Sequence, residues 1–146
     1  MGFWSFIFGE KTDDALENYV ERPYYFKSSP SVVIGLSAQG TSGDLTQQQD
    51  KFIKQLERDY LLLVKTIIPG IEIEVRNREP GFKILNFEQE FWPAYLVIPD
   101  CKQQPIKWGI SFFGISDASD FVSVNFIDYQ PTKFIVSAKA PALPVP

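Results

Sequence analysis

The sequence predicts an α+β fold, a mostly antiparallel sheet of about five to six strands with one long amphipathic helix packed on one face. Three observations predict it. Between Thr46 and Gly70 the apolar residues recur at helical spacing. After Gly70 they change to short alternating or β-branched runs separated by turn residues. Helical patterns come first and strand patterns accumulate later, an order that favours α+β over alternating βαβ units. With 146 residues, 45% apolar and 22% charged, the chain can bury one proper core. No internal repeat or long linker divides it, so residues 1–140 are expected as a single domain and 141–146 as a Pro-rich tail.

The chain opens "MGFWSFIFG", with Phe3, Trp4, Phe6, Ile7 and Phe8 in nine residues. A secretory signal needs a basic start and a longer apolar run, and here no Lys or Arg precedes Lys11. Myristoylation wants Ser or Thr at position 6, which is Phe6. The stretch is therefore expected to be retained, unlipidated and covered by protein, either its own domain or a partner.

"KTDDALENYVERP" offers Thr12 or Asp13 as a helix cap, with Leu16, Tyr19 and Val20 at helical spacing, and reads as a short helix ending before Pro23. "SPSVVIGLSAQG" reads as a strand over roughly 31–38, by its β-branched residues between Pro30 and Gly40. "GTSGD" supplies a turn. Thr46 and Gln49 have capping-box spacing. Beyond them Phe52, Ile53, Leu56, Tyr60, Leu63, Val64 and Ile67 fall within about 120° of arc, with Lys51, Lys54, Arg58 and Lys65 opposite. Pro69 and Gly70 should end this helix.

"IEIEVR" alternates Ile71, Ile73 and Val75 with Glu72, Glu74 and Arg76, the period of a half-buried strand. "NREPG" is a turn. "FKILNFEQEFW" reads as a long strand with a bulge where its apolar phase shifts between Ile84 and Leu85, interrupted by Pro93 before "AYLVI". "PDCKQQP" is a loop. "IKWGISFFGI" and "DFVSVNFIDY" read as a hairpin joined by "SDASD", and "KFIVSA" as a last strand.

Composition excludes several chemistries. A net charge of −4 argues against nucleic-acid binding, which needs clustered Lys and Arg. With no histidine and one cysteine, Cys101, Ser-His and Cys-His catalysis and most zinc sites are ruled out. No cofactor is expected. A single thiol forms no intramolecular disulfide, which suits a reducing, cytoplasmic compartment. No run approaches the roughly 20 apolar residues of a transmembrane segment.

Paired carboxylates such as Glu88 and Glu90 could serve as acid and base, and Glu72 and Glu74 follow the same logic. The simpler reading is solvent-facing glutamates alternating with buried apolar residues. "SDASD" lacks the spacing and distal Glu of a calcium loop. "GLSAQGTSGD" precedes a helix but has neither glycine-rich phosphate fingerprint. From Trp108 to Thr132 there is no Lys or Arg, while Asp117, Asp120 and Asp128 are present. That patch could steer a basic partner, though an ordinary solvated hairpin is the simpler reading.

The aromatic start, the Gly-rich turn leading to "TQQQDKFIKQLERDY" and the strands ending in "FVSVNFIDYQPTKFIVSA" resemble small cytoplasmic bacterial proteins of uncharacterised families. Some of these are immunity proteins of polymorphic toxin systems. The resemblance spans roughly residues 31–137. It implies a non-enzymatic domain that binds another protein, a toxin domain in the most concrete case. The acidic patch of Asp117, Asp120 and Asp128 and the aromatic Trp4 are the candidate contact residues of this sequence. The rival expectations are a carboxylate-dependent enzyme or small-ligand domain, and a structural component of a larger assembly.

Overall fold

The computed structural model describes residues 18–27, 31–41, 43–114 and 121–137. Six strands form one sheet in sequence order, β1 (Tyr19–Phe26), β2 (Val32–Gln39), β3 (Phe91–Ile98), β4 (Lys107–Gly114), β5 (Phe121–Ile127) and β6 (Gln130–Ser137). Every neighbouring pair is antiparallel except β2 and β3. Between those two strands the chain forms α1 (Gln47–Arg58), α2 (Tyr60–Arg76) and the single turn α3 (Phe87–Glu90). A parallel neighbour requires such a crossover, because a tight turn can only return a strand antiparallel. The expected α+β class, with a mostly antiparallel sheet of six strands, is what the chain adopts.

The first described element differs from its reading. Tyr19 and Val20 open a strand, and Leu16 lies outside the described residues. A short helix has little stability without tertiary support. Here "YVERPYYF" instead pairs along its whole length with β2, from Tyr19 opposite Gln39 to Phe26 opposite Val32. Pro23 is tolerated because β1 is an edge strand, where a missing N–H breaks no ladder on the outer side. β2 runs one residue later than expected.

The capping box forms as the sequence requires. Thr46 Oγ1 accepts from Gln49 N at 3.1 Å, and Gln49 Oε1 accepts from Thr46 N at 2.9 Å. All seven residues of the predicted apolar arc are buried. The helix is broken once, at Asp59, into α1 and α2. It does not stop at Pro69. Residues 71–76, expected as a strand, continue α2, because Ile71 and Val75 extend the buried i, i+4 row of Ile67 while Ile73 faces out. A strand would have placed all three on one face.

The segment expected as one long strand is a loop, α3 and then β3. Glu72 Oε2 accepts from Ile84 N at 2.9 Å, and Arg76 Nε donates to Phe82 O at 2.8 Å. These bonds strap the loop along α2 and hold Ile84 in the core. Glu90 Oε2 accepts from the N–H groups of Leu85 and Asn86, which favours a turn over an extended chain. The bulge falls later than expected, between Pro93 and Tyr95, where a strand proline leaves its ladder position unfilled.

The core lies between the helices and one face of the sheet. Leu36, Leu96, Ile110, Phe112, Val124 and Phe126 meet Phe52, Ile53, Leu56, Ile67 and Ile71 there. Trp108 stacks on Phe126 at 4.2 Å between ring centroids and meets Phe52 edge-on at 5.4 Å. Among the described residues no helix is long and apolar enough to cross a membrane.

Candidate functional site

Of the four residues expected to contact a partner, Trp4, Asp117 and Asp120 lie outside the described residues. Asp128 occupies the β5–β6 turn in the left-handed region, at φ 54. Asp is among the residues that tolerate this conformation. Its Oδ1 accepts from Ile106 N at 3.0 Å, its N–H donates to Ile106 O at 2.7 Å, and its carbonyl accepts from Trp108 Nε1 at 2.6 Å. Asp128 therefore clamps the turn to the 99–106 loop and satisfies the indole of a buried tryptophan. That is a structural role, and it turns one carboxylate oxygen toward the chain itself.

One member of each carboxylate pair is engaged by the chain around it. Glu90 is bonded to the Leu85 and Asn86 backbone, and Glu72 bonds Ile84 N and pairs with Arg76 at 3.5 Å. Glu74 is exposed in the last turns of α2. Among the described residues no group of three or more His, Cys, Asp or Glu is placed to hold a metal ion.

Cys101, at φ 64, is buried, and its thiol donates toward Pro99 O at 3.4 Å. Burial, with Asp100 beside it, pushes its pKa up to about 11, so at neutral pH it is a thiol and a poor nucleophile. Burial likewise raises Tyr60, against which Phe26 packs edge-on at 5.8 Å between centroids. Gln49 holds the Gly-rich turn in place. From its buried position its Nε2 donates to Gln39 O at 2.7 Å and Pro99 O at 3.1 Å. The helix start that could have held a phosphate is thus engaged by its own chain.

What the described surface does expose is a line of apolar side chains on the outer side of α2. Leu62, Pro69 and Ile73 lie within about 40° of arc, diametrically opposite the buried row. Leu62 is 66% exposed, Ile73 62% and Leu61 51%. Thr66 extends the line, its hydroxyl turned back onto Leu62 O at 3.0 Å. Leu85, 84% exposed, follows Ile84 on the strap that Glu72 holds against α2. No protein-family model, curated protein or solved structure matches the chain.

The geometry is therefore the whole ground for a functional reading. Single exposed leucines are ordinary, but several on one side of one helix form a patch of the kind that marks protein contacts. Lys65 and Arg76 border one side of this patch and supply part of the polar margin such contacts have. A second exposed ridge, Lys51, Lys54 and Arg58, runs along α1, with Lys54 paired to Asp50 at 3.5 Å. Sequence reasoning missed the α2 patch for a definite reason. Reading residues 71–76 as a strand put Ile73 inside, although Leu61 and Leu62 already stood outside the predicted apolar arc.

Proposed function

We propose that this chain is a non-enzymatic protein-binding domain that docks its partner on the outer side of α2, with neutralisation of a bacterial toxin domain as the most concrete form of that role. The observation that carries the reading is the uncharged line Leu62, Thr66, Pro69 and Ile73, with Leu61 and Leu85 beside it. Covering a side chain of this size contributes about 1.5–3 kcal/mol, so a few of them offset a good part of the cost of association. The reading is also supported by the engagement of two of the candidate catalytic carboxylates, Glu72 and Glu90, in bonds to the backbone.

The test is co-expression with the product of the adjacent gene, where that gene encodes a toxin, followed by size-exclusion chromatography. A stable complex that protects the host, and that Leu62→Glu with Ile73→Glu abolishes, is the expected result. Both positions are exposed, so the variant should fold as the parent does. A complex indifferent to the two substitutions would place the contact elsewhere. Failure of the parent chain to associate or protect would overturn the toxin reading.

A further inference from the structure

The outer side of α2 carries a pattern that extends beyond its apolar line. Asp59, Leu62, Thr66, Pro69, Ile73 and Arg76 follow one another at alternating intervals of three and four residues. That is the seam spacing by which one helix packs along another. Asp59 keeps the register of α2, since its carbonyl accepts from Leu63 N at 2.9 Å. All six fall within about 100° of arc on the side away from the sheet, over a length of about 26 Å. Asp59 is half-buried and the other five are exposed.

The seam is charged only at its ends, and the two ends have opposite signs. In the middle, the Thr66 hydroxyl donates to Leu62 O at 3.0 Å and Pro69 has no N–H, so covering these residues strands no donor. At one end, Asp59 Oδ2 accepts from Gln55 Nε2. At the other, Arg76 Nε donates to Phe82 O at 2.8 Å and its Nη2 stands 3.5 Å from Glu72 Oε1, while 43% of the side chain stays open.

We propose that this seam pairs, antiparallel, with the same seam of a second copy of the chain. About a two-fold axis between Thr66 and Pro69, Leu62 of one copy meets Ile73 of the other, Thr66 meets Pro69 and Asp59 meets Arg76, each contact occurring twice. Beside the seam, Lys65 of one copy comes level with Glu72 of the other. A parallel pair would instead set Asp59 on Asp59 and Arg76 on Arg76, so the charges select the antiparallel arrangement. A seam of one helix is smaller than a permanent interface, and the dimer is accordingly weak and concentration-dependent. The inference rests on the outer side of α2 being a contact surface, and it adds the regulation of that surface. The free chain holds it against a copy of itself, and a partner must displace the copy.

Sedimentation equilibrium of the full chain from about 5 to about 500 µM, a range suited to a small interface, tests this. The expected result is a reversible monomer–dimer equilibrium that Leu62→Glu with Ile73→Glu abolishes. Asp59→Arg alone and Arg76→Asp alone should each weaken the dimer about tenfold or more. An equimolar mixture of these two variants should dimerise as the parent does, because every end pair is again acid against base. Oxidative cross-linking at exposed positions checks the pairing without touching the charges. Leu62→Cys and Ile73→Cys should each form no covalent dimer alone and should cross-link when mixed, with Cys101 buried and its thiol protonated. A dimer indifferent to the charge variants, or covalent dimers from Leu62→Cys alone, would overturn the antiparallel seam. A parent chain monomeric throughout the range that still binds a toxin through Leu62 and Ile73 would overturn self-pairing and leave the docking of a partner standing. A dimer of the expected pattern whose α2 face takes up no toxin would support self-pairing and overturn the toxin role alone.

Discussion

The Phe134 ring of β6 rests directly on the backbone of Gly70 in α2, so closely that a methyl group on Gly70 would overlap its Cζ and Cε1. This contact fixes where the helix crosses the sheet. It also explains a Pro-Gly pair inside a helix. Pro69 removes one helical hydrogen bond and Gly70 lowers helix propensity, but only glycine lets the helix approach an aromatic ring at that distance.

Gly70→Ala should therefore destabilise the chain by about 1–3 kcal/mol through overpacking, although alanine is the better helix former by about 1 kcal/mol. Pairing it with Phe134→Leu should recover part of the loss in a double-mutant cycle read by urea denaturation. Additive losses would mean that the two residues do not meet.

Leu56 and Leu63 stand in the core with 1% and 6% of their surface exposed. Replacing either with Ala should cost about 2–5 kcal/mol through lost burial and a cavity. Arg58→Ala, on the exposed side of α1, should cost under about 0.5 kcal/mol. Equal losses in the same titration would show that the helix presents another face to the sheet.

Gln49 joins three elements, accepting from Thr46 N and donating to Gln39 O and Pro99 O. Gln49→Leu keeps the bulk but strands these backbone groups. The expected loss is at least about 2 kcal/mol, since each buried unmet group costs about 1–3 kcal/mol. Thr46→Ala, which removes one cap bond, should cost about 1 kcal/mol. A reversed order of the two in thermal melts would count against the clamp.

The Cys101 thiol ionises at about 11 in the folded chain against an ordinary 9.0, because burial, then Asp100, disfavours the thiolate. Above pH 9.0 the unfolded chain loses this proton first, so its contribution to stability is complete below that pH. It is lost as the pH rises through about 11. Cys101→Ala should flatten that part of the stability profile, and alkylation of the native thiol at pH 8 should be much slower than in denaturant. Equal alkylation rates would contradict its burial.

Much of the architecture follows from local sequence. Thr46, Gln49 and the arc from Phe52 to Ile67 specify a capped amphipathic helix, because each requirement is met by neighbours within a few turns. The meander β4 to β6 is legible for the same reason, since alternation and short connections determine antiparallel pairs. Local pattern decided wrongly where two periods fit one stretch. Ile71, Ile73 and Val75 satisfy an alternating pattern, while Ile71 and Val75 alone satisfy a helical one, and the helix is the one that buries both against the sheet in the row of Ile67. Tyr19 and Val20 became strand because β2 offered eight paired positions that a short helix could not match. The exposed line on α2 was invisible beforehand on the same ground. Exposure is a property of what lies opposite a residue, and that is settled by tertiary contacts between segments distant in the chain.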